Sequence, residues 1–289
     1  MALDSNPLLT MFMSDINLVA GEDAVLLLHG LAASPVELRY VAKELHRAGH
    51  SVHVPHLPGY GYGATATDSR EWHDRVCTIF EKLQREYRTV SVGGLCIGAV
   101  LALSLAAEKG RDVAALSLLS TTLFYDGWSL PWYRFLLPLG YYTPLRHLYT
   151  YRERAPYGLK NAALRKRIAR AIEQAPLTDV GAARMPLNHI YQAMRLIGRV
   201  KRGLKNVQSP ALVVHAVDDD TASVKSADFV IGNIGSAVVR KIFLGDSYHM
   251  ITMDNERDVV ARETCDFLRA QLGGASHVMS QPARRVVNF

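Results

Sequence analysis

Ten residues, Val90 to Ala99, limit this chain most. A β-branched apolar run, Val90-Ser91-Val92, meets Gly93 and Gly94, then Leu95 and Cys96, and a helical pattern starts at once and runs from Ile97 to about Lys109. That pattern reads as a strand, a sharp turn and a helix, with Cys96 at the apex and Gly94 and Gly98 flanking it at Gly-x-nucleophile-x-Gly spacing. A strained turn that lifts one side chain clear of a sheet leaves no room for a β-carbon at either flank. The helix aims its positive N-terminal end at the apex, which favours thiolate over thiol. A buried cysteine in a glycine-rich turn fits these ten residues equally well, so the surroundings have to decide.

Those surroundings alternate. Ala24–Leu28 is an unbroken apolar run of strand length, as expected of a strand covered on both faces. Pro35 opens an amphipathic helix with Leu38, Val41, Ala42 and Leu45 on one face, Ser34 as N-cap, and Gly49 closing it. A short strand over 51–55 leads into Leu57-Pro-Gly-Tyr-Gly-Tyr-Gly63. A helix over 69–87 then precedes the Cys96 strand, and a further buried strand covers 113–119. The rhythm breaks over 121–206, an aromatic and proline-rich block with at least two helices, one near 161–174. It resumes with a strand at 211–216, a helix near 223–231, a strand at 238–244 and a last helix near 257–272. Alternating strands and helices imply an α/β fold, a mostly parallel sheet wrapped on both faces. The expected division is a core of residues 1–120 and 207–272, an inserted helical cap at 121–206, and a flexible tail at 273–289.

Charge is divided in the same way. Residues 121–206 hold 15 Lys/Arg against 4 Asp/Glu, a net of +11, while the remainder carries 18 against 23, a net of −5. The basic block is either a solvated helical surface or a surface that steers an acidic substrate or carrier. No nucleic-acid motif accompanies it. Apolar residues make up 49% of the chain, yet no stretch reaches the roughly 18 unbroken apolar residues of a membrane span. The first twenty residues lack a basic start followed by an apolar block, so no signal peptide is read. Three cysteines argue against a disulfide framework, and Cys77 and Cys265 read as small buried residues in helices. The expected compartment is the cytoplasm, where a thiol nucleophile stays reduced.

A nucleophile at such a turn needs an acid and a histidine further along, in that order. Asp218, Asp219 and Asp220 directly follow the strand at 211–216, and His249 follows the strand at 238–244. His249 is the one histidine of eleven that sits just beyond a late strand and before the last helix. One aspartate of the three would hold the imidazole in the tautomer that leaves Nε2 free for Cys96. The residues alone do not say which. No His/Cys cluster at metal-ligand spacing is read, and no cofactor is expected: Gly59–Gly63 is too short for a dinucleotide loop, and the aspartates lack the Gly and distal Glu of a calcium loop.

The segment Leu26-Leu-Leu-His-Gly-Leu31, the elbow Gly94-Leu-Cys-Ile-Gly98, Asp219 and the run Ser247-Tyr-His-Met-Ile-Thr-Met-Asp254 resemble the bacterial carboxylesterase and monoacylglycerol-lipase branch of the α/β-hydrolase fold. The resemblance covers residues 22–120 and 207–272. It implies an oxyanion hole from the backbone N–H groups of Leu31 and Ile97, places the orienting acid at Asp219 with Asp218 as fallback, and gives His29 a role in positioning backbone. Two residues depart from the pattern. Cys96 stands where that branch has serine, and Tyr60 stands where the Gly59-x-Gly61 loop has histidine. An elbow cysteine resembles instead the dienelactone hydrolases and the core of polyhydroxyalkanoate synthases.

The implied activity is hydrolysis of a carboxylic ester or thioester through a Cys96–His249–Asp219 triad and a covalent acyl-enzyme. Acyl transfer would use the same intermediate. A thiolate leaves a tetrahedral adduct readily, so activated acyl donors suit it best. Tyr125, Trp128 and Trp132, in the aromatic stretch after the strand at 113–119, are the candidate substrate-binding residues, lining a pocket for an apolar acyl chain. A coenzyme A thioester or an acyl carrier protein would match both the aromatic stretch and the basic block. The rival readings are a dienelactone-type lactone hydrolase and a non-catalytic binding protein on the same fold.

Overall fold

The computed structural model describes residues 14–61, 64–152, 155–174, 177–178, 181–182, 184–273 and 285–287. Eight strands form one sheet: β1 (Ile16–Leu18), β2 (Asp23–Leu28), β3 (Ser51–Val54), β4 (Thr89–Leu95), β5 (Leu116–Leu119), β6 (Ala211–Ala216), β7 (Val238–Leu244) and β8 (Arg285–Val287). Their spatial order is β1-β3-β2-β4-β5-β6-β7-β8. Only β1 runs antiparallel to its neighbour; the other pairs are parallel. The expected tail at 273–289 lies outside the described residues apart from Gly273 and β8.

Alternation along the strands feeds two cores. Ala24, Leu26 and Leu28 of β2 point into one, and Val25 and Leu27 into the other, with Val213 and Val214 of β6 dividing the same way. The first core packs α2 (Ser69–Glu86), α3 (Ile97–Lys109), α5 (Leu187–Gly203) and α6 (Lys225–Asn233). The second packs α1 (Arg39–Arg47) and α7 (Arg257–Gly273). Helix α3 is buried on every side from Ile97 to Leu103, as its unbroken apolar sequence requires. Helix α2 buries one stripe, Trp72, Val76, Phe80 and Leu83, and its N-terminus is capped by Asp68, whose side chain accepts the Arg70 N–H at 2.9 Å.

One expected helix start is displaced. Pro35–Leu38 forms a 3-10 turn, α1 begins only at Arg39, and Ser34 makes no side-chain cap. The reason lies in Glu37, which is buried and turns inward to accept the N–H of Gly30. The carboxylate serves the loop after β2 rather than a regular first turn.

Between β5 and β6 the chain makes a long excursion above the carboxyl end of the sheet. It includes short helices at Leu137–Tyr141 and Leu145–Leu148, an antiparallel pair of Thr150–Arg152 with Arg184–Pro186, and α4 (Ala162–Gln174). The excursion is tied to the β6 loop by Gly127 N–H to Thr221 O and Ser129 N–H to Asp220 O, at 2.9 and 3.1 Å. A β-carbon on Gly127 would stand 2.2 Å from Asp220 O, so only glycine allows the two loops to touch. Its last helix, α5, buries Ala193, Leu196, Ile197 and Val200 in the first core against α3. The return of the excursion is therefore part of the helical layer of the sheet.

Candidate active site

Strand β4 ends at Leu95 and α3 begins at Ile97, leaving Cys96 alone at the turn with φ 58° and ψ −119°. A non-glycine residue at positive φ is strained, and the surroundings fix it: the Cys96 N–H donates to Leu119 O at 3.0 Å. The flanking glycines have a measurable cause. A β-carbon on Gly94 would lie 2.4 Å from the carbonyl carbon of Gly98, and one on Gly98 would lie 2.0 Å from Leu28 O. The helix and strand pass too closely for any side chain.

The loop after β2 lies against the turn, since a β-carbon on Gly30 would sit 3.7 Å from Cys96 Cβ. The loop also carries Leu31, and Ile97 opens α3, so the Ile97 N–H has no acceptor within the helix. This loop is braced from two sides. Glu37 accepts the Gly30 N–H, and the Tyr60 hydroxyl donates to His29 O at 2.7 Å. Tyr60 is fully buried, edge-on to Trp72 at 5.0 Å, and Trp72 Nε1 donates to Gly59 O at 2.8 Å. Burial lowers the pKa of His29 to about 3, which keeps its imidazole neutral. The Tyr62 and Gly63 positions of the glycine loop lie outside the described residues.

Of the three aspartates, Asp219 is the one that meets the His249 imidazole; Asp220 accepts the His249 backbone N–H. Asp219 Oδ2 and Oδ1 lie 2.8 and 3.0 Å from His249 Nδ1, and Oδ1 also accepts the N–H groups of Thr221 and Ala222, both at 2.8 Å. Burial raises the Asp219 pKa, but His249, His215 and those N–H groups outweigh it and hold the carboxyl below its ordinary range. Asp218 is exposed and pairs with Lys160 Nζ at 3.2 Å. Asp220 is buried and accepts the Gly158 N–H at 3.1 Å, and burial pushes its pKa up. His249 is itself 5% exposed. Burial opposes its charge, yet Asp219 and then Cys96 hold its pKa well above 6.5.

His249 Nε2 is buried, and the imidazole lies within hydrogen-bonding reach of the Cys96 side chain. Cys96 is near enough to act on the imidazole charge, but its Sγ faces Thr122 Oγ1 at 3.3 Å, and that hydroxyl donates to Ser120 O at 3.2 Å. The Thr122 proton being committed, the thiol is the donor in this resting contact.

Three residues here escape a reading of the sequence: Thr122, Glu37 and His215. His215 is fully buried at the end of β6, with Nε2 2.7 Å from Ala222 O and 3.4 Å from Asp219 Oδ2. Position four residues before Asp219 on a buried strand was the available signal. Asp254, quoted above only within a longer run, clamps the histidine loop by accepting the N–H groups of Tyr248 and Asn255 with Lys160 and Asn161.

A largely apolar cavity of about 140 Å³ lies beneath the excursion, bounded among others by Tyr125, Leu130, Pro131, Tyr149, Tyr157 and Asp220. Tyr125 links it to the elbow, since its phenol pKa is raised by burial and by Cys96. The other two residues expected on the wall turn away. Trp128 is 60% exposed, donating its indole N–H to Asp218 O, and Trp132 is 79% exposed. The prolines at 131 and 138 and the tie of Gly127 and Ser129 to the β6 loop set the path that faces them outward.

The chain resembles known proteins over most of its length. It is 25% identical to a carboxylesterase of Bacillus subtilis (strain 168) over 257 residues, which are 86% of this chain and 93% of that one. It is 24% identical to a thermostable monoacylglycerol lipase of Bacillus sp. (strain H-257) over 264 residues, 88% and 93% of the two chains. Among solved structures, a monoacylglycerol lipase of Paleococcus ferrophilus superposes with a TM-score of 0.73 at 17% identity, covering 89% of this chain and 98% of that one. A structure from a study of two metagenome-derived lipolytic enzymes, LipS and LipT, gives the same TM-score at 20% identity, covering 90% and 98%. The family model described as serine aminopeptidase, S33, matches residues 21–256, and with the sheet order and the turn at Cys96 this places the chain in that family of α/β-hydrolases.

Proposed function

We propose that this protein is a carboxylic ester hydrolase in which Cys96 is the nucleophile, His249 the base and Asp219 the orienting acid. The observation that carries the proposal is the buried imidazole of His249, held at Nδ1 by Asp219 and within hydrogen-bonding and electrostatic reach of Cys96.

The steps follow from the positions. Cys96 leaves Thr122, passes its proton to His249 Nε2, and Sγ attacks the acyl carbon. The Leu31 and Ile97 N–H groups receive the developing oxyanion. The adduct collapses as His249 returns the proton to the leaving alkoxide or thiolate, giving a thioester on Cys96. Water, deprotonated by His249, then hydrolyses it. An alcohol or thiol in place of water makes the same step an acyl transfer, so a thioester donor such as an acyl-coenzyme A or acyl carrier protein fits this chemistry as well as an ester does. The Bacillus relatives, a carboxylesterase and a monoacylglycerol lipase, favour an ester with an apolar acyl chain. In this reading residues 121–206 act as the cap, and Tyr125 lines the acyl cavity.

Burial, chiefly, pushes the thiol of Cys77 up to about 12 and that of Cys265 up to about 11, so both stay protonated at neutral pH. Iodoacetamide should therefore modify Cys96 first and abolish turnover in step with that modification. An aryl ester mixed with enzyme should leave an acyl group on the Cys96 peptide by mass spectrometry. Near wild-type turnover by Cys96→Ala would overturn the proposal.

A further inference from the structure

Three side chains with lone pairs converge at the end of α3 away from the elbow. His73 and Cys77 lie four residues apart on one face of α2, and Glu108 comes from the last turn of α3. His73 Nε2 is 2.6 Å from Glu108 Oε2 and 3.4 Å from Cys77 Sγ, and Cys77 Sγ is 3.8 Å from Glu108 Oε1. The ring's other nitrogen, Nδ1, lies 2.9 Å from Ser104 Oγ. When the Ser104 hydroxyl accepts the Nδ1 proton, the Nε2 lone pair faces the Glu108 carboxylate and Cys77 Sγ, and a cation can take the place of the proton between them.

We propose that His73, Cys77 and Glu108 form a binding site for a zinc-class divalent cation. An imidazole, a thiolate and a carboxylate are a borderline-soft set that suits zinc or cobalt and not magnesium or calcium. Metal–ligand bonds of about 2.0–2.3 Å at tetrahedral angles put ligand atoms about 3.4–3.6 Å apart. The nitrogen–sulfur separation already has that length. The nitrogen–oxygen separation must open by about 0.8 Å for these bond lengths, which the half-exposed Glu108 side chain can supply by rotation. Glu108 can give Oε2 to the metal and keep Oε1 on Lys109 Nζ, 3.0 Å away.

Ser104 Oγ stands where it can accept the Nδ1 proton once a metal takes Nε2, the part played by an outer hydrogen-bond partner. The C-terminal end of α3 adds partial negative charge. A cavity of about 380 Å³ opens beside the cluster, bounded by Arg70, His73, Asp74, Ser104, Glu108 and Arg199 among others, with room for a water as fourth ligand. Binding expels the Cys77 thiol proton to solvent, while the Nδ1 proton stays on the ring. Glu108 is twelve residues along α3 from Cys96, about 18 Å, so the ion would join α2 to α3 and take no part in the acyl chemistry.

The test uses the full chain, freed of metal by a chelator, desalted and titrated with cobalt(II) alone. A thiolate-to-cobalt charge-transfer band should saturate at one equivalent and be displaced by one equivalent of zinc. The band should persist in Cys96→Ala and Cys265→Ser, vanish in Cys77→Ser, and require at least tenfold more cobalt in Glu108→Gln, whose exposed side chain is not needed for folding. Zinc at a hundredfold excess over its Kd should raise the Tm by roughly 4–5 °C in wild type and not in Cys77→Ser. Absence of the band from wild type, or its survival in Cys77→Ser, overturns the site. Loss of the band in Cys96→Ala overturns it too and moves the metal to the elbow.

Discussion

Asp219 is the residue on which the site's electrostatics turn, because one carboxylate meets His249, His215 and two backbone N–H groups. Asp219→Asn should reduce kcat by a factor on the order of 10⁴, the loss typical when the orienting acid of a triad goes. Asp218→Asn, which breaks only an exposed pair with Lys160, should stay within a few-fold of wild type by steady-state assay. The same substitution has a pH signature. Asp219 is depressed below 3.8, so its contribution to stability is present above 3.8 and lost as pH falls through the folded value; His249 is raised, so its contribution is present below 6.5 and lost as pH rises through the folded value. The Tm gap between wild type and Asp219→Asn should thus be widest between 3.8 and 6.5 and narrow at alkaline pH, and a gap independent of pH would mean the pair is not ionised. Cys96, His249 and the aspartate triplet were legible because each follows a strand recognisable from its own residues. Thr122 and Glu37 were not, since each matters through a contact that only the fold makes, Thr122 with Cys96 and Glu37 with Gly30, while the one signal for His215 was its place four residues before Asp219. Trp128 and Trp132 misled because aromatic content says how much apolar surface exists and nothing about which way it faces.

Helix α3 shows how an element can carry both fold and site. Its apolar sequence places it under α5 and against β4, and that tight seat is what strains the turn at Cys96. Gly98→Ala sets a β-carbon 2.0 Å from Leu28 O, a backbone atom that cannot swing aside. The expected cost is about 1–3 kcal/mol or more in denaturant unfolding, with turnover falling further because the elbow moves. If Gly98→Ala matched wild type in both, the close seat would be wrong. Strand and helix positions from β2 to α3 and from β6 to α7 could be read from periodicity, as each buries a continuous run or one stripe. The start of α1 could not, because Glu37 abandons the helix to serve Gly30. The membership of α5 was also hidden: its exposed face, Arg195 and Arg199 flanking and Arg202 outermost, is basic like the rest of the excursion, while its buried face belongs to the sheet's core.

Across the whole molecule the charge is divided, with +11 on residues 121–206 against −5 elsewhere, and the structure spends part of that excess internally. Arg195 pairs with Asp68, Arg199 Nη2 donates to Ser69 Oγ at 3.1 Å, Arg146 lies over Tyr191 at 5.3 Å, and Lys201 lies 3.6 Å from the Phe124 ring centre. The first two contacts join the excursion to the core, and the last two hold the excursion to itself. Lys166 and Arg167 of α4 instead stand exposed, beside a half-buried Arg165. Such a group attracts a polyanionic handle only through solvent, and salt screens that attraction over about 8–10 Å at ordinary ionic strength. If an acyl-coenzyme A or acyl carrier protein is the donor, its kcat/KM should fall steeply as salt is added, while kcat/KM for a neutral aryl ester of the same chain length hardly moves. Neutralising Arg165, Lys166 and Arg167 together should reproduce that fall at low salt and leave kcat for the aryl ester unchanged, because none of the three borders the apolar cavity. Parallel salt curves for the two substrates would assign the exposed charge to solvation of an aromatic surface and leave a neutral ester as the substrate.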